Sequence, residues 1–312
     1  MVNVLVYHPD EAARYAALVR APRRRVAVQV AASPAAAAPL IAGADVLYAW
    51  RFPPILYAGA GRLRWLQAMG AGVEWALVPE LPPRVAVTRA PGVFGPWMAE
   101  YVLGWCAWIT QRMETYRAAQ RERRWIADLV PDRLAGTTMV IVGLGDIGRC
   151  IARAARALGV RIIGVNRSGR VLREAERVYR VTALPRVLAE ADWVVVALPL
   201  TAETRGLIGG RELGAMHPAA WLLNVGRGAV VDEASLLGAL RERRIAGAVL
   251  DVFATEPLPP DHPLWKLDNV VITPHISGPS TAGEISPIFN DNLTRFLAGH
   301  RLRHLVDRRR GY

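Results

Sequence analysis

The sequence is poor in the residues that would tie it to disulfides, metals or membranes. It has two cysteines among 312 residues, Cys106 and Cys150. They lie far apart in helical patterns, so no disulfide is expected and a reducing cytoplasmic location is. No Cys/His spacing suits a metal, and none is expected. No apolar run approaches the about 18 residues of a membrane span, so no membrane association is expected. The opening Met1-Val-Asn-Val-Leu-Val-Tyr7 lacks a basic region and a small-residue cleavage site, and reads as a first strand rather than a signal peptide. Lysine is almost absent: Lys266 is the single lysine among 39 basic residues. The formal net charge of +12 is therefore carried by arginine. These arginines are scattered, with short clusters at Arg23-Arg24-Arg25, Arg121 with Arg123-Arg124, and Arg308-Arg309-Arg310. There is no interleaved aromatic array and no helix-turn-helix pattern. Nucleic acid is not expected as a partner, whereas the excess charge suits attraction of anionic small molecules.

What the chain does have is apolar residues, 52% of the total, and a size suited to about two domains. Strand signals at 2–7, 25–30, 46–50, 63–68 and 85–88 alternate with helical connectors such as 10–19 and 33–42. That alternation predicts a doubly wound parallel sheet. Pro91-Gly-Val-Phe-Gly-Pro96 follows as a junction. The stretch 97–124 then reads as one long helix, apolar on nearly all sides in its first half, which predicts burial between domains or between subunits. Further strands at 139–142, 161–165, 193–198, 221–225, 248–251 and 270–273 predict a second, six-stranded domain. A helix at 233–243 is capped by Asp232, and a last helix spans 281–297. The expected fold is α/β with two doubly wound parallel-sheet domains, flavodoxin-like and Rossmann-like. Residues 1–95 with 280–312 are expected to form the substrate domain, and 96–279 the dinucleotide domain.

The second domain opens on a strand, the turn Gly143-Leu-Gly145-Asp-Ile-Gly148 and a helix. This is the dinucleotide-binding fingerprint. Gly143 permits the tight turn, Gly145 lets the backbone approach a diphosphate, and Gly148 lets helix and strand pack closely. The diphosphate then rests on unpaired N–H groups at the helix start. An NAD-preferring site places a carboxylate about 20 residues further on. Here that place reads Asn166-Arg167-Ser168-Gly169-Arg170, and no acidic residue occurs between Asp146 and Glu174. A 2′-phosphate would be bound by Arg167, Ser168 and Arg170, so the expected cofactor is NADP, with NADPH preferred over NADH.

Ligands of open α/β sheets sit beyond the carboxyl ends of the strands. The polar residues there are Asn224 with Arg227, Asp251 with Glu256, and His275. Arg227 stands between two glycines, where a guanidinium can grip a carboxylate with two parallel hydrogen bonds; a surface arginine in a turn fits the same local pattern equally well. His275 suits proton transfer near neutrality, and Glu256 suits holding its proton. A core histidine and a loop glutamate are the bland alternatives for each alone. As a set after consecutive strands, they favour catalysis. His8, after the first strand, is assigned no role, although it has a possible place beside the site.

Gly143-x-Gly145-x-x-Gly148, Leu198-Pro-Leu-Thr-x-x-Thr204, Asn224-Val-Gly-Arg-Gly228, Leu250-Asp-Val-Phe253 with Glu256-Pro257, and Thr273-Pro-His275 resemble the D-isomer-specific 2-hydroxyacid dehydrogenases over essentially the whole chain. The early Trp50, the Met69-Gly-Ala-Gly-Val73 loop and the Val-Asp-Arg-Arg-Arg-Gly-Tyr terminus are most similar to the glyoxylate/hydroxypyruvate reductase A group. The resemblance implies reduction of a small 2-keto acid, glyoxylate or hydroxypyruvate, by hydride transfer at an interdomain cleft. It implies that Gly70, Ala71 and Gly72 bind the substrate carboxylate through backbone N–H groups, and that Arg227 binds carboxylate and keto oxygen. His275, oriented by Glu256, then protonates the alkoxide, and Trp50 restricts substrate size. Asp251 is implied to orient the nicotinamide. Asp146, Ile147, Leu198, Pro199, Thr204 and Val225 are implied to line the cofactor channel. A homodimer formed mainly by the nucleotide domain is implied too. A D-lactate or phosphoglycerate dehydrogenase, or a dinucleotide-sensing module, are the alternatives.

Overall fold

A computed structural model describes residues 1–21 and 24–312. Arg23, of the first arginine cluster, lies outside the described residues. The chain divides into two compact units, Met1–Phe94 with Ser280–Tyr312, and Gly95–Pro279.

The first unit is built from β1 (Val2–Tyr7), α1 (Ala12–Ala17), β2 (Val26–Ala31), α2 (Pro34–Ile41), β3 (Val46–Ala49), β4 (Trp65–Ala68) and β5 (Ala86–Thr88). Its sheet runs β2-β1-β3-β4-β5, parallel throughout. Val46–Ala49 and Trp65–Ala68 are buried at every position, as strands covered on both faces must be. Ser33 starts α2 by accepting from Ala36 N–H at 3.2 Å.

The second unit contains α3 (Phe94–Thr110, whose first residue belongs to the first unit), α4 (Met113–Arg121), β6 (Thr138–Val142), α5 (Asp146–Ala157), β7 (Arg161–Asn166), β8 (Arg177–Arg180), α6 (Leu184–Leu188) and β9 (Trp193–Val196). It continues with α7 (Gly210–Ala215), β10 (Trp221–Asn224), α8 (Glu233–Arg241), β11 (Gly247–Leu250) and β12 (Val270–Ile272). The sheet order is β12-β11-β10-β9-β6-β7-β8, again parallel.

Two expectations need correction. The sheet has seven strands, not six, because Arg177–Arg180 pairs with β7 at the edge. The long helix at 97–124 is two helices: Arg112 adopts φ 54° and breaks the run. Among the described residues no helix is long and apolar enough to cross a membrane.

The chain then returns to the first unit as α9 (Ala282–Leu297). Its Phe289 ring, fully buried, stacks on Tyr48 at 4.0 Å and Trp65 at 5.2 Å between centroids. Burying a ring of that size contributes roughly 3 kcal/mol. One turn on, Asn292 donates to Gln67 Oε1 (3.2 Å) and to Arg303 O (3.0 Å). Thr88 donates to the same Gln67 oxygen at 2.8 Å and accepts from Trp65 Nε1 at 2.7 Å. All three polar residues of this network are fully buried and mutually satisfied, as the low dielectric around them demands. The chain's last stretch is equally engaged: Val306 N–H donates to Val87 O, and Arg308 donates to the carbonyls of Leu81, Pro82 and Val85. That arginine of the terminal cluster is a structural donor.

Candidate active site

The fingerprint lies where the interior strand β6 of the second sheet gives way to α5. Gly143 turns with φ +110°, and a Cβ on Gly148 would stand 2.0 Å from the Gly143 carbonyl oxygen, so no larger residue fits. Gly145 differs: it is exposed, and nothing lies within 4 Å of where its Cβ would be. It caps α5 without a side chain of its own, which leaves room at the helix start beside exposed Asp146 and half-buried Ile147. Open room at a helix N-terminus is what a dinucleotide diphosphate requires. The residues fit that group.

The loop after β7 is folded on itself. Asn166 Oδ1 accepts from Gly169 N–H (2.6 Å) and Ser168 Oγ (3.2 Å), and its Nδ2 donates to Arg170 O (3.1 Å). The Asn166 side chain is thus spent on shaping the loop. Arg167, Ser168 and Arg170 are exposed on it.

The remaining groups gather at the carboxyl ends of three neighbouring strands, where Asn224 pairs with Leu250 and Leu250 with Ile272. After β10, Asn224 accepts from Gly226 N–H (3.2 Å) and donates to Arg227 O (3.2 Å), closing a tight loop. Arg227 Nη1 donates to Gly226 O at 2.8 Å. A Cβ on Gly228 would stand 1.9 Å from the Phe253 carbonyl carbon, so the Arg227 loop lies directly on the loop after β11. The segment Leu198–Thr204 follows β9. Thr204 Oγ1 donates to Pro199 O (2.7 Å) and accepts from Thr201 N–H (2.8 Å). Buried Val225 donates its N–H to Val196 O.

Glu256 and His275 meet: Glu256 Oε2 lies 2.8 Å from His275 Nδ1, and Glu256 Oε1 accepts from Phe253 N–H at 3.1 Å. His275 sits in the left-handed region at φ 57°, an uncommon conformation for a non-glycine residue that surrounding contacts must impose. Asp251 imposes it. Its carbonyl accepts from His275 N–H (2.9 Å), and its carboxylate accepts from Ile276 N–H (2.9 Å), Ser277 N–H (2.9 Å) and Thr273 Oγ1 (2.6 Å). Thr273 in turn is 2.6 Å from the Tyr101 hydroxyl, whose pKa burial pushes up to about 12. Asp251 is completely buried, and its carboxylate braces the histidine loop from behind. Tyr101 was not singled out from the sequence. It sits on α3, far from the His275 motif in the chain, and only the fold brings it near.

In the first unit, Trp50 follows β3 and Gly70 follows β4. The Trp50 ring covers Gly70 so closely that a Cβ there would meet it at 2.8 Å. The ring also stacks with His8 (6.4 Å between centroids) and lies under the Arg51 guanidinium at 5.7 Å. His8 Nδ1 accepts from the N–H groups of Asp10 (3.1 Å) and Glu11 (3.0 Å). Burial pulls its pKa below the ordinary histidine value, outweighing Glu11 and Asp10. The Gly70 carbonyl accepts from Ala90 N–H at 3.1 Å, tying the Gly70-Ala71-Gly72 loop to the segment after β5.

Residues 104–277 match the family model for the NAD-binding domain of D-isomer specific 2-hydroxyacid dehydrogenases. A glyoxylate reductase of Korarchaeum cryptofilum is 35% identical over 260 residues, covering 81% of this chain and 78% of that protein. A crystal structure of a D-isomer specific 2-hydroxyacid dehydrogenase family protein from Aeromonas salmonicida superposes with a TM-score of 0.92 at 36% identity, over 98% of this chain and 99% of the other. The NADPH-dependent glyoxylate/hydroxypyruvate reductase of Sinorhizobium meliloti, solved with NADP and sulfate, gives 0.90 at 30% identity over the whole of both chains.

Proposed function

The chain belongs to the D-isomer-specific 2-hydroxyacid dehydrogenases, which work with a nicotinamide dinucleotide, and on that premise we propose that it reduces glyoxylate or hydroxypyruvate to the D-2-hydroxy acid with NADPH. The observation that carries this reading is the His275–Glu256 pair at the carboxyl ends of the same sheet edge as Arg227. The bound nicotinamide supplies the hydride for C2 of the keto acid. Arg227 grips the substrate carboxylate and draws electron density onto the keto oxygen. His275 holds the proton. With Nδ1 committed to Glu256, the group left for the substrate is Nε2–H. The imidazolium gives that proton to the oxygen as C2 is reduced, which makes a hydroxyl and leaves a neutral ring still held by Glu256. The backbone of Gly70-Ala71-Gly72 supplies N–H donors to the substrate carboxylate, and Trp50 limits the bulk at C2. Asp146, Ile147, Leu198, Pro199, Thr204 and Val225 line the cofactor channel.

NADPH is favoured because Arg167, Ser168 and Arg170 are exposed on a loop without an exposed carboxylate before Glu176. The relative from Sinorhizobium meliloti is itself NADPH-dependent. The exposed Trp97, Trp108 and Trp125 of the second unit support a homodimer through that unit, and the protein is proposed to act in the cytoplasm.

The test is loss of nicotinamide absorbance with each cofactor over a panel of keto acids. Glyoxylate and hydroxypyruvate are expected to turn over, with kcat/KM for NADPH above that for NADH. Arg167→Ala is expected to lower the NADPH value about tenfold or more and the NADH value far less. Activity only on bulky or phosphorylated acids would sink the substrate reading; preference for NADH would sink the cofactor reading.

A further inference from the structure

Glu174 has a buried carboxylate that the chemistry above does not use. Its side chain is 1% exposed. A single oxygen, Oε1, accepts from Arg149 Nε (3.1 Å), Arg149 Nη2 (2.9 Å) and Arg153 Nη1 (3.5 Å), with Arg173 Nε at 3.6 Å. The other oxygen, Oε2, is buried without a hydrogen bond. Burying a carboxylate is costly, and one left half satisfied is not placed for stability alone. Its location is informative. Arg149 and Arg153 lie on α5, whose N-terminus is the diphosphate anchor. Glu174 lies at the far end of the β7–β8 loop that carries Arg167, Ser168 and Arg170. A second tie runs parallel, from Arg156 of α5 to the Arg173 carbonyl. The near end of the loop is held differently, by the Asn166 side chain and by Arg180 Nε donating to Ser168 O at 3.2 Å.

Resting on the NADPH reading above, we propose that Glu174 is a positioning residue for cofactor discrimination: its ion pair with Arg149 and Arg153 sets the spacing between the diphosphate anchor and the 2′-phosphate-binding side chains. The two phosphate sites of one ligand are a fixed distance apart. They are read together only if the fingerprint helix and the β7–β8 loop keep their separation. Glu174 bolts the loop to that helix. It also keeps the only carboxylate between the fingerprint's Asp146 and Glu176 beneath the surface, matched by arginine, where it does not repel an incoming phosphate.

As a mere negative charge, Glu174 would weaken anion binding, and its removal would tighten it. As a brace, its removal weakens binding of the ligand that needs both sites. The probes are adenosine 2′,5′-bisphosphate and adenosine 5′-monophosphate, titrated calorimetrically into the full chain without nicotinamide or substrate. Wild type is expected to bind the bisphosphate more tightly. Glu174→Ala is expected to lose about tenfold in bisphosphate affinity and less than twofold for the monophosphate. Glu174→Gln, which keeps an oxygen for Arg149, is expected to lose less, and amide exchange at 167–176 to quicken in the alanine variant. Tighter bisphosphate binding in either variant, or equal losses for both probes, overturns the brace. If Glu174→Ala does not fold, the glutamine variant decides on the same criteria. The two readings fail separately. A wild type that does not distinguish the probes overturns the NADPH reading and the brace with it. A wild type that does, losing the distinction in Arg167→Ala but not at Glu174, overturns the brace alone.

Discussion

The two parallel sheets hold the side chains at their carboxyl ends by different means. Beyond β10, β11 and β12, charged and polar side chains are fixed by buried hydrogen-bonding groups: Asn224 closes the Arg227 loop by donating to one carbonyl and accepting from one N–H, and the Asp251 carboxylate braces His275 as an acceptor. Beyond β1, β3 and β4, aromatic rings are fixed by contact: His8 is stacked between Tyr15 and Trp50, and Trp50 is pressed onto Gly70. The same architecture therefore holds its side chains by directional bonds in one sheet and by shape in the other. A proton donor must be aimed to within a hydrogen bond, which directional bonds can do. A boundary for a substrate need only exclude volume, which stacked rings do well.

The largest effect is expected at His275, the proposed proton donor. His275→Ala is expected to lower kcat by roughly 100-fold to 10,000-fold, the range for loss of a general acid, in a steady-state assay with glyoxylate. A smaller loss would place the acid elsewhere. Asp251→Asn comes next. It keeps the size of the brace but turns part of an acceptor facing Ile276 and Ser277 N–H into a donor. The expected outcome is a fall in kcat of about 10- to 100-fold with a small change in the Kd of NADPH. Equal damage to both would show that Asp251 holds the cofactor instead. On the shape side, Trp50→Ala is expected to act on selectivity. The ratio of kcat/KM for phenylpyruvate to that for glyoxylate should rise about tenfold, and an unchanged ratio would remove Trp50 from the substrate boundary.

The smallest effect concerns acid. Hydrogen bonds from Arg149, more than any other cause, hold the Glu174 carboxyl below its ordinary value of 4.5. A lowered folded-state pKa stabilises the fold above the ordinary value and is lost as pH falls through the lowered one. Wild type should melt higher than Glu174→Gln at neutral pH, and the gap should narrow on acidification below 4.5. A gap that stays constant in thermal melts would mean the charge contributes nothing.

Much of this was legible in the chain. The fingerprint, the order Arg227, Glu256, His275 and the alternation of strands with helices are local patterns, and local patterns carry signal. What escaped was nonlocal or weakly marked. Strand β8 is Arg177-Val-Tyr-Arg180, two apolar residues between arginines, because an edge strand needs little burial. Arg112 breaks the long helix without the glycine or proline that usually announces a stop. The pairing of Glu174 with Arg149 spans 25 residues, and that of Tyr101 with Thr273 spans 172. No periodicity encodes such pairs; they exist once sheet order has brought the elements together. Asn166 shows the converse. It stands where a ligand contact is expected, but its short amide can satisfy the turn from within, and does.

The return of the chain to the first unit also constrains the order of events at the ribosome. Synthesis delivers β1 to β5 first, yet the ring that stacks between Tyr48 and Trp65 and the amide that satisfies Gln67 both belong to α9. Until Ser280–Tyr312 has emerged, the first sheet lacks the ring that stacks on Tyr48 and Trp65 and one of the two donors to Gln67 Oε1. The second unit is continuous from Gly95 to Pro279 and needs no later segment to complete its sheet. The segment that completes the first unit is thus made only after the whole of the second, glycine fingerprint included.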